Sequence, residues 1–158
     1  MSDPKYDVEK FCRDALAIIK SKLNTKISAI NSEKADVAID SIGTDAWFNS
    51  MIPANFTAPV FVIWGLTDQS PTDFEPEATL SKVTLSFEIG LADKNWADLE
   101  CFYRLLRYQR ALTEVVNENS QLFGNGRQPK IESLPPAALS IKGNAFQFSG
   151  INITIFQD

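Results

Sequence analysis

The stretch that most constrains the fold is LSKVTLSFEIGL, residues 80–91. Large apolar residues occupy every second position from Val83 to Leu91, and polar residues or glycine lie between them. Because successive side chains of a strand point to opposite faces, this pattern predicts a strand with one buried face and one polar face. Such strands are typical of antiparallel sheets.

Three further stretches predict strands. PVFVIWGL, residues 59–66, is apolar throughout and rich in β-branched and aromatic residues, which predicts a central strand buried on both faces. KIESL is followed by two prolines, and ALSIKGNAFQF then predicts a hairpin that turns on Gly143–Asn144. In the last stretch the apolar parity changes between Phe148 and Ile151, which predicts a bulge or a turn at Gly150.

Two long helices are predicted. The first covers residues 4–23, with Asp3 as cap, Pro4 in the first turn and apolar residues at three- and four-residue spacing. The second begins after Asp93 or Asn95 and ends at about Asn119. It carries two apolar series, which exceeds what one core requires. The first series is Cys101, Leu105, Tyr108, Leu112, Val115 and Val116; the second is Trp96, Leu99, Phe102, Tyr103 and Leu106.

The order of elements predicts one α+β domain over residues 1–158. We expect an antiparallel or mixed sheet of about four or more strands, flanked by the two main helices. Two segments fit this scheme less well. Residues 40–58 are apolar but rich in turn formers, and residues 67–79 form an acidic loop or arm.

The composition argues against several kinds of functional site. The net charge is −5 and the sequence has no histidine, which argues against general nucleic-acid binding and against common hydrolytic and metal sites. We predict no catalytic, cofactor-binding or metal-binding residue. DFEPE lacks the ligand spacing of a calcium loop, and GNGRQPK follows a helix where a phosphate loop would follow a strand.

The cysteines and the N-terminal residues predict the cellular compartment of the protein. Cys12 and Cys101 fit buried apolar positions in a reducing compartment, with a disulfide or a reactive thiol as the open alternative. The first residues do not resemble a signal peptide, and no run of 18 apolar residues occurs. We therefore expect a protein of the cytosol, or one assembled from it, without a membrane partner.

YRLLRYQRALTEVVNEN, residues 103–119, carries three arginines on the second helix: Arg104, Arg107 and Arg110. They allow three interpretations, namely a solvated helix face, a protein interface or a phosphate contact. Glu100 precedes Arg104 by four residues and Arg110 precedes Glu114 by four, so pairs within the helix are available. Arginine and tyrosine are also enriched at protein interfaces.

The order of these segments resembles that of the tail terminator (tail completion, head–tail joining) proteins of tailed bacteriophages. The resemblance lies in the buried VFVIWGL, the alternating VTLSFEIGL, the helix YRLLRYQRALTEVVNEN and the final IESLPPAALSIKGNAFQFSGINITI. It implies a virion structural protein of the tail or neck, assembled in the host cytoplasm as a homo-hexameric ring. The ring would cap the tail tube and meet the head connector, with the sheath as a further partner and DNA only in transit through its lumen.

The resemblance implies surfaces and no enzymatic residues. For the ring interface we select Trp96, Phe102, Tyr103, Arg104, Arg107 and Arg110, and we place Phe74 in a docking arm. A neck adaptor or stopper, or another minor tail protein, is the related alternative. A bacterial small-molecule-binding or regulatory module is a more remote alternative, and an enzyme is the last.

Overall fold

The computed structural model describes residues 8–49, 58–69, 81–92, 98–120, 129–141 and 143–157. It contains two helices and a five-stranded sheet, which confirms the predicted α+β single-domain class. The helices are α1 (Val8–Glu33) and α2 (Asp98–Glu118). The strands are β1 (Trp47–Asn49), β2 (Val60–Gln69), β3 (Ser81–Ala92), β4 (Lys130–Ile141) and β5 (Asn144–Gln157).

The sheet is mixed, with strand order β1-β2-β3-β5-β4. β1 runs parallel to β2, and every other neighbouring pair is antiparallel. β2 is an interior strand buried on both faces where its side chains are described, from Val60 to Ile63. The middle of the sheet, however, is occupied by β3 and not by the predicted β2.

One face of the sheet carries both helices. Leu85, Phe87 and Ile89 of β3 are fully buried there, which confirms the apolar face predicted for residues 80–91. They share one core with apolar side chains of α1 and α2 and with Ile151 and Ile153 of β5. Replacing such a buried phenylalanine by alanine costs about 3–5 kcal/mol, so this layer holds the fold together.

The face of the sheet turned away from the two described helices, which we call the helix-free face, has a second, smaller apolar cluster. Val60 and Val62 of β2 and Phe146 and Phe148 of β5 are buried in it. β5 therefore shows apolar side chains to both faces, and it pairs with β3 without interruption from Gln157 to Phe146. The predicted bulge or turn at Gly150 is wrong. The parity change reflects two buried faces of one regular strand.

Two glycines let the central strands approach closely. A Cβ at Gly150 would collide with the carbonyl oxygen of Phe87 and with Glu88 on β3. A Cβ at Gly90 would collide with the ring of Phe148, its partner across the β3–β5 pair. Glycine at these two positions leaves the space that the neighbouring backbone and the aromatic ring occupy.

The edge strand β4 contains the irregularity that was expected in β5. Its register with β5 shifts between Leu134 and Ala137, where Pro135 and Pro136 lie. Proline cannot donate a ladder hydrogen bond, so it is tolerated at an edge and at a bulge. The predicted hairpin is present, but its turn lies between the paired Ile141 and Asn144, one residue earlier than predicted, with Gly143 at a φ of 83°.

α1 ends at Glu33, well beyond the predicted end at residue 23. Its apolar stripe continues through Ile27 and Ile30, both of which are buried. α2 ends at Glu118, close to the predicted end. The predicted caps Asp3, Pro4, Asp93 and Asn95 lie outside the described residues.

Two asparagines of α1 hold the connection between α1 and β1. The side-chain amide of Asn31 donates to the carbonyl of Ile39 at 2.8 Å and accepts from its N–H at 2.9 Å. Asn24, two turns earlier on the helix, makes the same pair of bonds with Ile42 at 3.0 and 2.8 Å. Each amide thus satisfies both backbone groups of a buried isoleucine, as a neighbouring strand would.

We expect Gly150→Ala to lower the free energy of unfolding by about 1–3 kcal/mol, because the added methyl group overpacks the contact with β3. Urea denaturation measures the change. Gly43→Ala is the matched control, since a Cβ there meets nothing within 4 Å. Equal stability of the two variants would contradict the close approach at Gly150.

Candidate assembly surface on the second helix

α2 is held firmly on the sheet by its inner side. Every member of the first predicted apolar series is buried: Cys101, Leu105, Tyr108, Leu112, Val115 and Val116. Polar contacts add to this packing. The Gln109 amide donates to the carbonyls of Leu134 and Gly150 at 2.7 and 2.8 Å, and the buried Ser149 hydroxyl donates to the Leu105 carbonyl at 2.8 Å.

The outer side of α2 exposes a cluster of apolar side chains. Phe102 is 43% exposed, Tyr103 is 45% exposed and Leu106 is 38% exposed. The Phe102 and Tyr103 rings lie 6.2 Å apart between centroids. We call these three residues the α2 patch. Among the described residues only Leu139, on β4, is another large apolar side chain with comparable exposure.

The patch agrees with the predicted surplus of apolar surface on this helix. Phe102 and Tyr103 were selected from sequence as interface residues, and both are exposed. Leu106 belongs to the same apolar series but was not selected, although its spacing of three from Tyr103 was the available signal. Trp96 and Phe74 lie outside the described residues.

Arg107 contacts the chain that follows α1. Its side chain is only 12% exposed and forms an ion pair with Asp36 at 2.8 Å. Its guanidinium also donates to the backbone carbonyls of Lys34 and Val37. Charged donors on backbone carbonyls make strong hydrogen bonds, so Arg107 fixes the start of the α1–β1 connection.

Arg110 joins α2 to the end of α1. It binds both carboxylate oxygens of Glu33, at 3.2 and 2.7 Å, and the Glu114 carboxylate at 3.1 Å. The pair with Glu114 confirms the predicted pair within the helix. Lys26 of α1 continues the network to Glu114 and Glu118 on α2. These ion pairs set the two helices side by side.

Arg104 is half-buried and lies beside Tyr108. Burial is the main reason that the pKa of Tyr108 is raised far above its usual value, and the positive charge of Arg104 opposes the rise. The Tyr108 hydroxyl donates to the Asp40 carbonyl at 2.7 Å. Tyr108 therefore stays protonated and supports the connection as a donor.

A cleft of about 490 Å³ lies beside the α2 patch. Tyr103 and Leu106 form its apolar wall. The remaining lining residues are charged: Lys34, Asp36, Arg107 and Arg110. An apolar wall with charged groups around it suits a ligand or a protein segment that has one apolar group and flanking carboxylates.

The two cysteines are buried and free, as the sequence predicted for small apolar positions. Burial, and to a lesser extent Glu9, raises the pKa of the Cys12 thiol, which keeps it protonated. Within the described ranges no group of three His, Cys, Asp or Glu residues is arranged to hold a metal ion. Neither described helix is long and apolar enough to cross a membrane.

We expect Arg107→Ala to destabilise the fold by about 1–3 kcal/mol, because it leaves two backbone carbonyls without their charged donor. Urea denaturation measures the loss. Arg13→Ala is the control, since the ion pair of Arg13 joins it to its helical neighbour Glu9 and both side chains are largely in solvent. That change should stay within about 0.5 kcal/mol. If Arg107→Ala were equally mild, Arg107 would not secure the connection.

The stability of the fold should fall at acidic pH in a way that depends on two carboxylates. Hydrogen bonding and charge from Arg110 lower the pKa of Glu33, and a hydrogen bond from Arg107 lowers that of Asp36. A lowered pKa in the folded state adds stability above the unfolded pKa, and this stability is lost as pH falls through the folded pKa.

The test compares urea denaturation at pH 7 and at pH 3.5 for the original chain and for Glu33→Gln plus Asp36→Asn. The double variant should lose less stability between the two pH values, because it has no carboxylates to protonate at these positions. An unchanged pH dependence would show that the two ion pairs do not contribute.

Two comparisons with known proteins give no indication of the function. No protein-family model matches the sequence, and no curated protein matches it. The features that indicate the function are therefore the exposed apolar patch, the charged residues around it and the helix that carries both.

Proposed function

We propose that the chain is an assembly protein of a phage virion, which forms a homo-hexameric ring that terminates the tail tube and joins it to the head connector. The observation that carries the proposal is the α2 patch. Three large apolar side chains lie together on one helical face, and aromatic side chains are enriched at protein interfaces.

The composition of the surface favours a protein partner over a nucleic acid. Tyr103 and Phe102 are aromatic anchors, and Arg110 and Lys34 lie at the side of the cleft. Aromatic residues and arginine are enriched at protein interfaces. The arginines Arg107 and Arg110 already pair with carboxylates, which makes them poor partners for phosphate.

The rigidity of α2 supports the same proposal. Gln109 and Ser149 attach the helix to β4 and β5, and the ion pairs of Arg110 attach it to α1. A partner would therefore meet a surface that is already in place, and little conformational entropy would be lost on binding.

The polar part of the helix-free face suits a lumen. Thr84 and Ser86 of β3 face Thr154 and Asn152 of β5, with the threonine hydroxyls 3.3 Å apart. These side chains are half-buried and carry no charge. Glu88 continues this row on β3. A lining of hydroxyls, an amide and a carboxylate, in a chain of net charge −5, would let DNA pass without holding it.

Two alternatives share some of these features. A neck adaptor or stopper would use the same patch in another position of the virion. A small-molecule-binding module is favoured by one observation, the cleft of about 490 Å³ beside Tyr103 and Leu106. A clear ligand in a thermal-shift screen, with a protein that stays monomeric, would favour that alternative.

Oligomeric state is the direct test of the proposal. Light scattering and negative-stain microscopy of the purified chain should show hexameric rings, or a monomer that forms rings only on tube ends. Leu106→Glu should prevent assembly but preserve the fold, because Leu106 is on the outer face of α2. Leu139→Glu is the control for an equally exposed leucine elsewhere.

A chain that stays monomeric at high concentration and binds neither tail tubes nor head connectors would contradict the proposal. Circular dichroism of each variant separates a loss of assembly from a loss of folding. If Leu139→Glu disrupted assembly and Leu106→Glu did not, the interface would lie on β4 and not on α2.

A further inference from the structure

We propose that the outer edge of β4, the side turned away from β5, pairs with the same edge of a second copy of this chain. The two strands run antiparallel, and the two-fold axis passes between the two copies of Leu139. The contact is made by residues 137–141. It is separate from the α2 patch, so it does not rest on the ring of the proposed function.

The second half of β4 is open to a further strand. β4 is the last strand of the sheet, and among the strands that the structure describes it pairs with β5 alone. Four consecutive residues of this half are exposed, namely Ala137, Ala138, Leu139 and Ser140. Because adjacent residues of a strand point to opposite faces, this stretch is exposed on both faces of the sheet. Such an edge presents backbone groups to which another strand can pair.

The two halves of β4 differ in how they are protected from pairing. The first half carries Lys130 and Glu132, which form an ion pair at 2.9 Å, and it is followed by Pro135 and Pro136. Charged residues and prolines are the usual means by which edge strands avoid contact with other chains. From residue 137 to residue 141 the sequence reads AALSI and has neither. The second half is therefore the part of the edge that suits a partner strand.

The hairpin fixes which backbone groups of this half point outward. Only two residues join β4 to β5, so the pair that closes the loop, Ile141 and Asn144, exchanges its backbone hydrogen bonds within the hairpin. Hydrogen-bonded and non-hydrogen-bonded pairs alternate along an antiparallel ladder, and Leu139 therefore also bonds to β5. The N–H and C=O groups of Ala138 and Ser140 point away from β5. These four groups are placed symmetrically about Leu139.

This symmetric placement makes the edge complementary to itself. When two copies of β4 run antiparallel with Leu139 opposite Leu139, Ala138 of each copy lies opposite Ser140 of the other. Each of these two pairs exchanges an N–H and a C=O bond in both directions, so every one of the outward groups finds a partner. A second copy therefore satisfies the edge without any further segment.

The exposed leucine supports the same register. Leu139 is 44% exposed and is paired with Phe146 of β5, so it lies on the helix-free face beside the buried cluster of Phe146 and Phe148. At the axis the two leucines form a non-hydrogen-bonded pair, in which opposing Cβ atoms lie about 4.5–5.5 Å apart. Leu139 of the second copy would cover Leu139 of the first and extend this apolar cluster across the contact.

Charge exchange at residue 139 tests the contact and its register. All variants are made in the full chain that also carries Leu106→Glu, which removes the proposed ring contact and leaves β4 unchanged. This parent chain should be a dimer by sedimentation equilibrium, with a dissociation constant below about 1 mM, because a short strand pair buries less than a standard interface. Leu139→Glu and Leu139→Lys should each be monomeric, since like charges would face each other at the axis. Their equimolar mixture should form heterodimers, since opposite charges would then face each other.

Proline at residue 140 tests the backbone bonds. The N–H of Ser140 points away from β5, so Ser140→Pro removes an outward donor and should leave the ladder of the hairpin in place. It should weaken dimerisation at least about tenfold. Ser140→Ala keeps the N–H and is the matched control, which should dimerise like the parent chain. Circular dichroism verifies that each variant is folded.

Three results would overturn the inference. The first is a parent chain that stays monomeric at about 1 mM. The second is a mixture of the two charged variants that stays monomeric, which would show that the edge serves another partner or that Leu139 is not at the axis. The third is a folded Ser140→Pro variant that dimerises like Ser140→Ala. Hexameric rings of the original chain are a separate readout, so the proposed function and this inference can fail independently.

Discussion

The relative positions of α1, α2 and β1 depend on the hydrogen bonds made by the connection between α1 and β1. This connection runs beside α1 without a strand partner, so its buried backbone groups need other partners. Asn31 and Asn24 supply both a donor and an acceptor to Ile39 and Ile42, from two turns of the same helix. The second helix contributes as well, because Arg107 and Tyr108 donate to carbonyls of the same connection.

One consequence is that the two helices and β1 are tied together by polar and aromatic contacts. The connection takes hydrogen bonds from α1 and α2, and Arg110 and Lys26 join the helices directly. Trp47, the first residue of β1, packs on Phe61 with ring centroids 5.3 Å apart. The outer face of α2 is therefore held by contacts on the inner side of the helix, which lowers the conformational entropy that a partner would have to remove on binding.

The charged residues of α2 show why a functional site is harder to predict from sequence than a fold. All three arginines are equivalent in sequence, at three-residue spacing with glutamates nearby. In the structure Arg107 is largely buried on carbonyls of a distant segment, Arg110 bridges two helices, and Arg104 lies beside Tyr108. The partners of Arg107 and Arg110 are Glu33, Asp36 and Val37, some seventy residues away in the chain. No local sequence pattern predicts these contacts. The apolar residues Phe102 and Tyr103 were recognisable, because a surplus over one core stripe is a local property.

The sequence by itself determined the class of fold, the alternating strand β3, the buried strand β2 and the two amphipathic helices. These follow from periodicity, which depends only on how side chains project from a helix or a strand. Periodicity does not say whether the second face of a strand is also covered. Tertiary structure alone decided that Phe146 and Phe148 are buried on the helix-free face, and that Gly150 lies in a regular strand against Phe87. It also decided which arginines serve the fold and which apolar side chains remain exposed, because both depend on neighbours that are distant in the chain.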